Sequence, residues 1–150
     1  MNKIVSLLIS LVTVAGIASA LISVRKSDAG KPVEMATLSM SWSWIYRIDD
    51  TYFLVMKSDN QFDDAYWLKM GVSKEECLES VSALQEMMDN MGDSDRYDVD
   101  NGAGKTFTVT LTRELGIKKM VFRGDRHAGA GFLIPSNLTK ATKWIENNVK

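Results

Sequence analysis

Between Lys3 and Arg25 the chain carries no charged residue, and this 21-residue run from Ile4 to Val24 constrains its fold more than any other segment. As a helix rising about 1.5 Å per residue it would reach about 30 Å, the thickness of a bilayer's hydrocarbon core. Water rejects so long an apolar stretch unless a core or a membrane receives it. Pro32 and polar residues follow at once and no amphipathic stripe is visible, so a membrane is the expected recipient.

Two forms of that expectation stand side by side. A signal peptide is expected from the basic start at Lys3 and the small residues Ala18-Ser-Ala20, with cleavage near Ala20 and an exported or periplasmic product. A single-pass anchor is expected from Leu21-Ile-Ser-Val24, which carries the apolar run beyond that cut. Gly16 and Ala20 form a small-xxx-small pair suited to self-association of such helices. Arg25, Lys26 and Lys31 outnumber Lys3, which leans a retained anchor toward a cytoplasmic C-terminal domain.

Residues 1–24 are thus assigned to a leader or anchor, 25–40 to a tether and 41–150 to one domain. Setting aside Lys3 leaves 17 basic against 19 acidic residues, a net charge of about −2 that argues against a nucleic-acid surface. Cys77 is the single cysteine and His127 the single histidine, so neither an intrachain disulfide nor a thiolate zinc site can form.

Alternation of apolar and polar residues predicts strands over 41–48, 51–57, 65–70, 105–113, 117–123 and 132–134. Trp42, Trp44, Tyr46 and Ile48 are expected to face a helix layer, with a membrane interface as the second reading of the aromatic rings. Ser73 and Glu76 match a capping box, and Cys77, Val81, Leu84, Met88 and Met91 continue as one apolar stripe stopped by Gly92. A second helix begins at Pro135-Ser136 and carries Leu138, Ala141, Trp144 and Ile145. Asp93 to Gly104 reads as a linker. The expected fold is α+β, with an N-terminal hydrophobic helix, one mostly antiparallel sheet of about five or six strands in βββα-βββα order, and two helices on one face.

Several motifs invite chemistry. Gly102-Ala-Gly-Lys-Thr106 resembles the end of a phosphate-binding loop, but Val99 stands where the first glycine belongs and a strand follows the Thr. Asp93, Asp95, Asp98 and Asp100 suggest a calcium loop, yet its spacing puts Asp98 where the sharp-turn glycine should be. The stretch Arg123-Gly-Asp-Arg-His-Ala-Gly-Ala-Gly131 offers backbone donors and the cations Arg123 and Arg126 to an anion or partner. His127 with Asp125 forms a candidate acid–base pair, without a nucleophile at a recognisable spacing. Thr106, Thr108, Thr110 and Thr112 form a polar row opposite Phe107, Val109 and Leu111.

The expected function is a non-enzymatic accessory or binding module of a cell envelope with a protein partner and no cofactor. Its binding candidates are Arg123, Arg126, His127, Thr108 and Thr110. The alternatives are a small envelope hydrolase using His127 and a structural subunit of a membrane or surface assembly.

Overall fold

A computed structural model describes residues 30–40 and 42–150. The expected leader or anchor, the expected cleavage site and the Gly16/Ala20 pair lie outside the described residues; among those described, no helix is long and apolar enough to cross a membrane.

The chain forms β1 (Val33–Ser39), β2 (Ser43–Ile48), β3 (Thr51–Met56), β4 (Tyr66–Gly71), α1 (Lys74–Asn90), β5 (Arg96–Asp100), β6 (Thr106–Glu114), β7 (Ile117–Arg123), β8 (Gly131–Leu133) and α2 (Pro135–Asn148). Strands β1 to β4 make one antiparallel meander, sheet A, and β5 to β8 make another, sheet B. The order is therefore ββββα twice. Among the described residues the fold is α+β with two helices, and two four-stranded sheets replace the expected single sheet.

The two added strands correct the tether and the linker. β1 occupies Val33–Ser39, where a tether is expected, because register shifts at Glu34/Ala36 and Thr37/Ser39 break its two-residue period. β5 occupies Arg96–Asp100 within the expected linker; it is an edge strand with four of its five residues exposed, and charged side chains mask its Tyr97/Val99 alternation.

The two helices tie the sheets together. α1 leaves β4 at Gly71, which pairs with Tyr52, and its last carbonyls, Met88 O and Asp89 O, accept from Lys118 Nζ of β7. α2 leaves β8, contacts β1 through Lys140 Nζ donating to Leu38 O, and sets Trp144 against Tyr52 of β3 with ring centroids 6.0 Å apart. The helices also pack on each other. Cys77, Val81 and Met88 of α1, Leu138, Ala141 and Ile145 of α2, and the inner faces of both sheets close one core. Removing such side chains from water stabilises by about 1.5–3 kcal/mol each.

The helix starts follow local chemistry. Ser73 Oγ accepts from Glu76 N at 3.3 Å, whereas Glu76 Oε2 accepts from Val72 N at 2.8 Å, one residue before the expected reciprocal partner. Gly71 permits this approach, since a Cβ there would lie 2.4 Å from Glu76 Cβ. In α2, Pro135 takes the first helical position and Asn137 Oδ1 accepts from Ile134 N.

β2 reverses the expected facing. Ser43 and Ile45 turn into the core, while Trp44 and Tyr46 lie half-buried on the opposite side, outside the core cluster. β-Pairing carries that side across the sheet, placing Trp44 beside Val55 and Tyr46 beside Phe53.

Asn101 joins the sheets and is buried at 4 % exposure. Its main-chain O accepts from Lys69 N of β4, its Nδ2 donates to Trp67 O, and its Oδ1 accepts from both Ala103 N and Lys105 N. Asn101→Ala should lower unfolding free energy by about 2–4 kcal/mol through these unpaired groups, measured by urea titration. A loss below about 0.5 kcal/mol would deny the joint its role.

Burial pushes the Cys77 thiol up to about 11. It should resist disulfide-exchange reagents in native protein near neutral pH and react fully in denaturant.

Candidate functional site

The β6–β7 hairpin turns through Leu115 and Gly116, with φ of 51° and 79°. This two-residue turn sets Glu114 opposite Ile117, and the register then runs down to Thr108 opposite Arg123. Thr108, Thr110 and Arg123 therefore share one face of sheet B. Phe107, Val109 and Leu111 take the other face and enter the core. Asp98 and Arg96 of β5 stand beside Thr108 and Thr110, and Thr108 Oγ1 donates to Asp98 Oδ1 at 3.3 Å.

At the end of this face a cleft of about 440 Å³ opens between two loops. Gly104 to Phe107 form one wall and Gly124 to His127 the other. The phosphate-loop-like segment and the Arg123–Gly131 stretch thus meet, although far apart in the chain. Lys105, Arg123 and Arg126 are exposed and form no ion pair with another described residue.

His127 is held in the wall of the cleft. Its ring stacks on Tyr66 at 4.2 Å and meets Phe107 edge-on at 6.3 Å. Nε2 lies 3.0 Å from Asp64 O, an acceptor, so Nε2 carries the proton. Nδ1 is buried without a partner and lies against Gly124. Among the described residues no hydrogen bond joins Asp125 to His127.

The glycine-rich loop does present its backbone donors to anions, and the anions are the chain's own. Asp63 Oδ2 accepts from Gly129 N at 2.7 Å, and Asp63 Oδ1 from Ala128 N at 3.2 Å. Asp59 Oδ1 accepts from Ala130 N at 2.6 Å, and Asp59 N donates to Ala130 O. Ser58 Oγ donates to Asp63 Oδ2 at 2.9 Å. Tyr66 Oη donates to Gly129 O at 2.8 Å, and burial raises its pKa above the usual phenol value. These bonds fasten the β7–β8 loop to the β3–β4 loop and so fasten sheet B to sheet A.

The four candidate calcium ligands are placed separately. Asp93 pairs with Arg113, Asp95 accepts from Gly92 N, Asp98 accepts from Thr108, and Asp100 accepts from Gly102 N. Among the described residues, no three His, Cys, Asp or Glu side chains converge as metal ligands.

Sequence reasoning passed over Asp59 and Asp63, because nothing local marks a loop carboxylate as the partner of a glycine loop more than sixty residues away. It also passed over Leu115, 98 % exposed at positive φ, where Asn, Asp or Gly is the usual occupant. The equivalent turn of sheet A has Asp49 at φ 51°, which suits that conformation. Comparisons with protein-family models, curated proteins and solved structures find no significant match for this chain.

The Gly129 N–H holds the Asp63 carboxyl below the usual carboxylate range, helped by Ser58 and Ala128. A carboxylate whose folded pKa is depressed stabilises the protein above its unfolded pKa and loses that contribution as pH falls through the folded value. Between about pH 5 and about pH 2, Asp63→Asn should show a shallower fall in Tm than the parent, and near pH 6 a lower Tm. Parallel Tm–pH curves for the two proteins would contradict this role.

Proposed function

We propose that this chain is a non-enzymatic accessory module, held at a membrane or exported across one, that binds a protein partner through the outer face of sheet B and the adjoining cleft. The observation that carries the reading is the gathering of Thr108, Thr110 and Arg123 on a face that the helices leave open, next to a cleft bearing Lys105 and Arg126. Hydroxyls and cations with no ion-pair partner suit a surface rich in carboxylates and backbone carbonyls. The uncharged run at residues 4–24 supports the membrane part of the reading.

The hydrolase alternative draws less support from the geometry. Nε2 of His127 is engaged by a carbonyl, Nδ1 is enclosed, and the ring is stacked between the halves of the molecule. These contacts suit a fixed structural side chain better than a proton carrier.

A photoreactive residue at Thr110, introduced into the full chain in cells, should give a discrete heavier adduct on irradiation. The same residue at Glu86, on the exposed side of α1, should give none, and Arg123→Glu should reduce the Thr110 adduct several-fold. Equal labelling at both positions, or none at Thr110, would overturn the proposal.

A further inference from the structure

The outer face of sheet A remains after the core and the candidate site are accounted for. Trp44, Tyr46, Phe53 and Trp67 lie there half-buried, away from the helices and outside the core cluster. Trp67 meets Tyr46 at 5.4 Å and Phe53 at 5.7 Å between ring centroids. Val55, opposite both Trp44 and Trp67, is covered by this aromatic layer and only 2 % exposed. Before β2, Trp42 is 43 % exposed and meets Phe132 of β8 edge-on with ring centroids 6.2 Å apart, and Met40 nearby in the chain is 84 % exposed. Tyr and Trp rings combine an apolar body with a polar edge, which suits them to the boundary between lipid headgroups and acyl chains.

Chain length identifies what can cover this face. Gly30 N donates to Asp49 Oδ2 in the β2–β3 turn, so the chain enters the domain at one end of sheet A. Only residues 25–29 separate Gly30 from Val24, where the uncharged run ends. Five residues span at most about 18 Å. A membrane receiving residues 4–24 is therefore within reach of this end of sheet A. The hairpin tip at Leu115 lies at the opposite end of α1, whose 17 residues extend about 26 Å. Arg25, Lys26 and Lys31 flank the junction and suit anionic headgroups.

We propose that the aromatic outer face of sheet A rests on the headgroup region of the bilayer that receives residues 4–24. This rests on the membrane part of the proposed function. It sets the domain down on the lipid surface through sheet A and gives the partner of sheet B a place in or on the same membrane.

The four tryptophans make the proposal testable, because Trp44 and Trp67 lie on the outer face of sheet A, Trp42 lies just before β2 against Phe132 of β8, and Trp144 lies on the helix side against Tyr52. The full-length chain is reconstituted into phosphatidylcholine–phosphatidylglycerol vesicles, with or without lipids brominated near the headgroup end of their acyl chains. The chain should float with the vesicles, and brominated lipid should quench most of its emission. Trp144→Phe should retain the quenching. A chain carrying Trp42→Phe, Trp44→Phe and Trp67→Phe should lose most of it, with unchanged circular dichroism. Flotation without quenching, or quenching confined to Trp144, would overturn the docking and leave the membrane reading standing. An unprocessed chain that fails to float would overturn both.

Discussion

The structure depends on two helices that together close the inner faces of two sheets into one core. A four-stranded meander with one apolar face needs a cover, and neither half supplies one for itself alone. α1 begins beside β3 and β4 and ends with its carbonyls held by Lys118 of β7. α2 begins after β8 and ends with Trp144 against Tyr52. The apolar stripes of both helices meet in one core. Hydrophobic burial supplies the drive, being non-directional and roughly proportional to the area removed from water.

Direction comes from polar pins where the sheets meet. Asn101 binds β4 at Lys69 and Trp67 while it closes the β5–β6 turn. Asp59, Asp63 and Tyr66 hold the β7–β8 loop from the side of sheet A. A buried amide or a loop carboxylate meets these donors in one arrangement and would leave them unsatisfied in another. The same pins shape function. They occupy the inner donors of the glycine-rich loop and fix His127 in place, which leaves Lys105, Arg123, Arg126 and the Thr row as the groups available to a partner.

Much of this was readable locally. The Lys105–Arg123 hairpin shows clean alternation, and its two-residue turn sets the register that places Thr108 opposite Arg123. The Cys77–Met91 stripe and the Leu138–Ile145 stripe both lie where a helical period puts them, and both enter the core. β1 escaped because its bulges interrupt the period, and β5 because an edge strand this polar resembles a loop. Size marks Trp44 and Tyr46 for the core; Ser43 and Ile45, both smaller than the rings, fill that side instead, and the rings form an outer layer. The meeting of residues 58–66 with 124–130 rests on contacts between distant segments, which no local period encodes.

The claim that helices shared between the sheets make the two halves one unit is tested most directly by native-state hydrogen exchange resolved to single amides. The account predicts that the slowest amides of β2 and β3, of β6 and β7, and of both helices open at one common free energy, equal to that of global unfolding. If the amides of one sheet opened at a distinctly lower free energy while the other sheet and both helices stayed protected, the halves would be separable and the account contradicted.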